Sequence, residues 1–365
     1  MRIKPIAAAV LVTATALAFA GCATNETPAA GPSANTGSNG AASGTLTGVG
    51  ASSQKAAQEK WVADFQTANS SITVNYSPDG SGAGRSAFIA GAANFAGSDR
   101  PFKDEEMGAG KFAGCAADSN ALNLPVYVSP IAVIFNVEGV DELTLDPDTL
   151  AGIFAGKITK WNDAAIAKTN PDAKLPNADI TAVHRADDSG TTNNFTDTLN
   201  KIAPNVWTAP AADTFPADFG GEAANGTSGV VQAVTSGTNT IGYADESAAG
   251  KLGIAGLLIG GKTLKPSAES AAEILDNSST IAGRDANDLA YTLNRTVDGV
   301  YPAVLVSYAI VCQTYADSSV GSLVKSYVSY IASAAGQSAA AEAAGSAPLS
   351  SALQAKVKTA IDSVK

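Results

Sequence analysis

The chain is poor in the residues that hold metals. Among its 365 residues there are one histidine, His184, and three cysteines. Cys22, Cys115 and Cys312 are far apart and form no recognisable ligand set with it, so neither a metal nor a cofactor is expected. Basic residues are short as well: 23 Lys and Arg face 34 Asp and Glu, for a formal charge of −11. That deficit argues against a nucleic-acid partner. It leaves room for an anion, because backbone amides and a single arginine can supply a local positive field. The apolar run from Ile6 to Ala20 falls short of the roughly 20 residues that span a bilayer. Two signatures of chemistry are missing too. The segment Gly80 to Ser86 lacks the Gly-x-x-x-x-Gly-Lys-Ser/Thr spacing of a phosphate loop. His184, Asp187 and Ser189 crowd into six residues with no Gly-x-Ser-x-Gly elbow, so His184 reads as a structural or surface imidazole. No enzyme is expected.

What is present begins with an export signal. Arg2 and Lys4 precede the Ile6–Ala20 run, which ends in small residues at Gly21-Cys22. The stretch Leu17-Ala18-Phe19-Ala20-Gly21-Cys22 resembles a bacterial lipobox, which implies cleavage after residue 21 and a Cys22 acylated on sulfur, with palmitate as the expected chain. Removing residues 1–21 takes away two basic residues and no acid, which moves the formal charge from −11 to −13. Residues 22–44 are small and polar with one charge, Glu26, too poor in large apolar groups to offset ordering entropy. They read as a disordered tether about 25 Å long on average. Cys115 and Cys312 then remain as an even pair in a compartment that permits disulfides, and a bridge between them is expected.

From Thr45 onward short β-type runs alternate with helical stretches, and 45% apolar residues suffice for a sizeable core. That pattern predicts α/β layers around a largely parallel sheet. Strands are predicted at Thr45–Val49, along Ile72, Val74 and Tyr76, at Ile180–His184 and at Ala303–Val311. Helices are predicted at Gln54–Ala68, after Ser81, at Asp146–Ala155, Thr191–Ile202, Val320–Ala334 and Leu349–Val364. Leu122–Val128 and Ile131–Val137 also read as strands, and Pro125 and Pro130 suit edges or crossovers better than one continuous central strand. The alanine-rich stretch at 338–344 is ambiguous.

Open α/β sheets bind ligands beyond the carboxyl ends of their strands. Three strand-to-helix turns share one character: Gly48-Val49-Gly50-Ala51-Ser52-Ser53, Gly80-Ser81-Gly82-Ala83-Gly84 and Asp188-Ser189-Gly190-Thr191-Thr192. Each exposes helix N-terminal amides and lets the backbone approach a ligand closely. One such turn is ordinary capping. Three together, with Arg185 four residues before Ser189, outline an oxyanion cradle.

These turns, with Phe95-Ala96-Gly97-Ser98-Asp99 and Arg185-Ala186-Asp187-Asp188-Ser189-Gly190-Thr191, resemble the phosphate-contact segments of the phosphate-binding proteins of ABC phosphate importers. The resemblance covers nearly all of residues 45–365, including Lys157-Ile158-Thr159-Lys160-Trp161 and Ile241-Gly242-Tyr243. It implies a two-lobed class II periplasmic-binding-protein fold with a ligand cleft, one lobe from 45–128 and 303–365 and the other from 129–302. Ser52, Ser81 and Asp99 would contact inorganic phosphate from the first lobe, and Arg185, Ser189, Gly190 and Thr191 from the second, with Asp187 orienting Arg185. The implied partners are the membrane permease and ATPase subunits of the importer. The implied setting is a monomer, lipid-anchored to the outer face of the bacterial cell membrane.

Asp99 is expected to select the anion. Phosphate near neutral pH keeps a proton to donate to a carboxylate, whereas sulfate has none. Gly82 stands where the family often has serine and Asp188 where it often has glycine, so the Asp188 side chain is expected to face solvent or cap the helix near Ser189. Sulfate, molybdate and arsenate are the alternative ligands. A surface phosphatase or serine hydrolase, or a surface interaction protein without transport, are the alternative functions.

Overall fold

The computed structural model describes residues 43–365. The export signal, Cys22 and nearly all of the tether lie outside the described residues; the tether's last residue, Gly44, already opens the first strand. Nine strands form the main sheet: β1 (Gly44–Gly50), β2 (Ile72–Ser77), β3 (Phe95–Ser98), β4 (Ala121–Asn136), β5 (Thr181–Arg185), β6 (Glu222–Ala224), β7 (Thr240–Asp245), β8 (Gly253–Ile254) and β9 (Val304–Cys312). Their order is β2-β1-β3-β9-β4-β7-β5-β6, with β8 also paired to β4. The strands β1, β2 and β3 run parallel at one end, and β5, β6 and β7 run parallel at the other. The antiparallel strands β9 and β4 join the two groups, giving a two-lobed α/β fold around one continuous sheet.

One expectation is corrected here. Residues 121–136 form a single 16-residue strand in the middle of the sheet, buried up to Asn136, and not two pieces interrupted by proline. Both prolines sit where the ladder asks for no regular N–H. At Pro125 the register against β9 shifts, so that Tyr127 faces Ser307 while Pro125 faces Tyr308. The extra residue, Val126, gives its carbonyl to Gln337 Nε2 at 2.8 Å. Pro130 is the last residue paired with β9, and Ile131 is the first paired with β7. A proline at a bulge and another at a change of partner remove no ladder bond.

Helices follow the strand ends. The main ones are α1 (Lys55–Ala68), α2 (Ser81–Ile89), α3 (Pro147–Phe154), α4 (Gly190–Ile202), α5 (Gly226–Ser236), α6 (Ser318–Ala332), α7 (Ala334–Ala344) and α8 (Ser351–Asp362). Helix α1 buries Ala57, Gln58, Trp61 and Phe65, the one-turn spacing of a single face. The ambiguous alanine-rich stretch is helical: Ser333 caps α7 and Gly345, at φ 60°, ends it. Trp61 and Tyr127 meet edge to face in the large core, with ring centroids 6.5 Å apart. A smaller apolar cluster packs α5, through Val230 and Val234, onto Ala132, Ile134, Val183 and Ala244. Cys115 and Cys312 are joined as a disulfide with Cα atoms 5.4 Å apart, tying the segment before β4 to the end of β9. No helix of the described residues is long and apolar enough to cross a membrane.

Candidate functional site

The carboxyl ends of the parallel strands from both halves of the sheet converge. After β1 comes Ser52-Ser53-Gln54 in a 3-10 turn; after β2, Gly80 at φ 103° opens α2 at Ser81; after β3 comes Asp99. From the other half, β5 ends at Arg185 and α4 starts after its cap Ser189, while β6 leads through Asn225 to α5.

Asp99 stands where these ends meet, 3% exposed. Its Oδ1 accepts hydrogen bonds from the hydroxyls of Ser53 and Ser307, each at 2.6 Å. Its Oδ2 accepts one from Thr191 Oγ1 at 2.8 Å, across the seam between the halves. Its N–H donates to Ser81 Oγ at 3.1 Å, and its carbonyl accepts from Asn194 Nδ2 at 2.6 Å. Gly190 lies against this group so closely that a Cβ there would stand 2.6 Å from Ser81 Oγ and 2.8 Å from Asp99 Cβ. Only glycine lets the start of α4 approach Asp99 this nearly.

Arg185 supplies the cation. It is 3% exposed, and Asp187 holds its guanidinium in a fork: Nε donates to Oδ1 at 2.7 Å, and a terminal nitrogen donates to Oδ2. The N–H of Gly226 adds a third bond to Asp187 Oδ1 at 2.9 Å. Burial alone would raise the Asp187 carboxyl, but the hydrogen bonds and charge of Arg185 outweigh it and hold the group below the usual carboxylate range. Ser52 lies opposite, its Oγ accepting from Thr227 N–H at 3.1 Å and sharing a hydrogen bond with Thr227 Oγ1 at 3.0 Å. Ser189 caps α4 by accepting from Thr192 N–H at 3.1 Å. Thr192 and Tyr243 share a 2.7 Å hydroxyl bond behind it, and burial pushes the Tyr243 phenol up to about 12.

The residues singled out in the sequence therefore come together: Ser81, Asp99, Gly190 and Thr191 in direct contact, Arg185 and Asp187 as a pair, and Ser52 linked to them through Thr227 and Gly226. Ser189 acts on its own helix. Asp188 is exposed and leaves the capping to Ser189, while its carbonyl accepts from Gly82 N–H at 2.9 Å. A Cβ at Gly82 would overlap that of Asp188, so the glycine at 82 and the aspartate at 188 accommodate each other across the seam. His184 stacks on Phe215 with ring centroids 4.2 Å apart and shares a hydrogen bond with the Arg185 carbonyl, which points it away from any role with Ser189.

Four contributors escaped the sequence reading: Ser53, Thr227, Asn194 and Ser307. Thr227 had a signal, because Asn225-Gly226-Thr227-Ser228 has the same small, hydroxyl-rich character as the three turns that were recognised. Ser307 had one too, as the single polar residue inside an apolar strand. Ser53 was masked by its neighbour Ser52, and Asn194 by its ordinary place within a helix. Among the described residues, no group of three or more His, Cys, Asp and Glu is arranged to hold a metal ion.

Residues 35–335 match the PBP superfamily domain. The chain is similar to phosphate-binding protein PstS 3 of Mycobacterium leprae, 36% identical over 341 residues and covering 90% of each chain. It is likewise 36% identical to phosphate-binding protein PstS 3 of Mycobacterium tuberculosis, over 88% of this chain and 86% of that one. Among solved structures, a high-affinity periplasmic phosphate-binding protein bound with phosphate superposes at a TM-score of 0.69. It shares 23% identity over 87% of this chain and 93% of that chain, a likeness of fold.

Proposed function

The chain belongs to the PstS phosphate-binding proteins within the PBP superfamily, and on that premise we propose that it captures inorganic phosphate between its two lobes and passes it to an ABC importer. The observation that carries this reading is the environment of Asp99. Its Oδ1 already takes two hydroxyl donors, whereas Oδ2 takes only the one from Thr191. A carboxylate oxygen has room for a second donor, so Oδ2 can accept the proton that phosphate carries and sulfate lacks.

In this reading Arg185, oriented by Asp187, neutralises part of the ligand charge. The hydroxyls of Ser52, Ser81 and Ser189 and the backbone at Gly190 and Thr191 supply the remaining donors, the Thr191 hydroxyl being turned to Asp99 Oδ2, and no metal or cofactor takes part. The first lobe comprises 45–128 and 303–365 and the second 129–302, a boundary two residues before β4 changes partner at Ile131. Donors from both lobes make binding stronger in the closed arrangement than in an open one. The protein acts without catalysis, as a monomer tethered by lipid on Cys22 outside the cell membrane, where it meets the permease and ATPase assembly.

Titration calorimetry on ligand-stripped protein tests the reading. Phosphate should bind with clear heat and sulfate should not. Arg185→Met, which leaves Asp187 without its partner, should weaken phosphate by about 10³-fold. Sulfate heat without phosphate heat would sink the proposal.

A further inference from the structure

A second polar cluster bridges the same seam and touches none of the candidate ligand donors through a side chain of Asp213. Arg85 lies one turn beyond Ser81 on α2, and Arg100 directly follows Asp99. Both reach Asp213, which lies between α4 and β6 in the other half of the sheet. Arg100 Nε donates to both Asp213 oxygens at 2.8 and 2.9 Å, and another of its nitrogens donates at 2.7 Å. Arg85 donates to Asp213 Oδ2 at 2.5 Å and to Ser98 Oγ at 2.9 Å. Glu106, on the same side of the seam as the arginines, pairs with Arg100 at 2.7 Å and lies 3.7 Å from Arg85 Nε.

Asp213 also reports to the start of α4. Its carbonyl accepts the N–H of Ser189 at 2.9 Å, and its Oδ1 accepts from Asn193 Nδ2 at 3.0 Å. We propose that Asp213 is a latch, docked between Arg85 and Arg100 to hold the α4 start against Asp99 and so to set how slowly a captured anion escapes. The proposal rests on the phosphate reading given above.

The charges explain why the latch would hold. With Asp213 in place, two guanidiniums face two carboxylates, and the four side chains are 5, 9, 13 and 25% exposed for Arg85, Arg100, Asp213 and Glu106. Once Asp213 leaves, two guanidiniums share one carboxylate. Arg85 Nε already lacks a hydrogen-bond partner, so it has nothing nearer than Glu106 to turn to. Uncompensated charge in so dry a place is costly. Burial alone would raise the Asp213 carboxyl, but the hydrogen bonds of Arg100 and the charges of both arginines hold it below the usual range.

The geometry also ties the latch to escape. Gly190 sits against Ser81 and Asp99, and Thr191 bonds to Asp99 directly, so an anion enclosed there leaves only when these contacts part. Asp213 lies beside that opening and contributes no donor to a ligand. It is a positioning residue, acting through Ser189 on one side and Arg100 on the other.

Stopped-flow kinetics with inorganic phosphate on the whole chain test this. Asp213→Asn keeps the side-chain shape and removes the charge; it should speed phosphate dissociation by about tenfold or more and leave association nearly unchanged. Asp213→Glu should recover part of the loss. Arg100→Gln should speed dissociation too, and Asp213→Asn combined with Arg100→Gln should cost less than the product of the single effects, as for residues in one network. Wild-type dissociation rates in the single variants would overturn the latch, as would a lowered melting temperature with unchanged kinetics or singles that multiply independently. Wild-type protein that binds no phosphate would instead overturn the functional reading, and the latch with it.

Discussion

Asp99 and Asp213 are both carboxylates that bond across the seam between the halves of the sheet, and they keep opposite company. Asp99 meets only neutral hydroxyls at its oxygens, from Ser53, Ser307 and Thr191. Asp213 is wedged between two guanidiniums. The adjacent residues Asp99 and Arg100 thus face opposite kinds of chemistry. Hydroxyl donors leave an acceptor open to a ligand that brings its own proton, while a pair of arginines consumes a carboxylate's capacity and turns it into a fastening. Under the proposed reading, the partners of a buried acid, more than its burial, set whether it recognises a ligand or holds two elements together.

The severest way to break this comparison is to give Asp99 a donor of its own. Asp99→Asn should collapse the preference for phosphate over sulfate by as much as about 10⁴-fold, since the rejection of a protonless anion depends on that acceptor. Calorimetry with both anions checks it, and an unchanged preference would remove Asp99 from its role.

A third carboxylate sharpens the contrast. Asp245, at the end of β7, is fully buried; Tyr127 from β4 donates to its Oδ1 at 3.0 Å, Ser247 bonds to the same oxygen, and Oδ2 has no partner. With neither a cation nor a full set of hydroxyls, burial pushes it up to about 7 from 3.8. The folded state therefore holds a proton that the unfolded chain has released between these two values. The group's contribution to stability is complete below about pH 4 and is lost as pH rises through 7, by up to about 4 kcal/mol. Asp245→Asn, which mimics the protonated acid, should raise the melting temperature more at pH 8 than at pH 5. Equal shifts at both values would show that the carboxyl does not titrate there.

The mildest change removes one donor from Asp99. Ser307→Ala leaves two hydroxyls on the carboxylate and removes the shorter of two bonds from Gln54 Nε2, which donates to Ser307 Oγ at 2.6 Å and to the Tyr308 carbonyl at 3.4 Å. Loss of one such bond should weaken phosphate by roughly fivefold, about 1 kcal/mol. An affinity loss as large as that of Asp99→Asn would mean that the three hydroxyls act as a unit.

Much of this site was legible before any fold was known. Turn chemistry is local, so Ser81, Ser189, Gly190 and Thr191 could be placed at helix starts from glycine and hydroxyl residues at strand ends, and Arg185 with Asp187 stands two residues apart. Ser307 and Thr227 were harder, since each depends on a partner more than 170 positions away. The long central strand is hidden at Pro125 and Pro130 because a proline's cost depends on whether its missing N–H is needed, and only the bulge and the change of partner make it unnecessary.

The sequence by itself determined where most of the helices around the site begin and which residues could offer amides and hydroxyls to an anion. Those properties follow from short-range backbone geometry and side-chain type. Only the tertiary structure decided which carboxylate received hydroxyls and which received arginines. Asp99, Asp213 and Asp245 are the same residue in the sequence; what each carboxylate meets depends on neighbours that the fold brings from distant positions, Thr191 and Ser307 to Asp99, Arg85 and Arg100 to Asp213, and Tyr127 to Asp245.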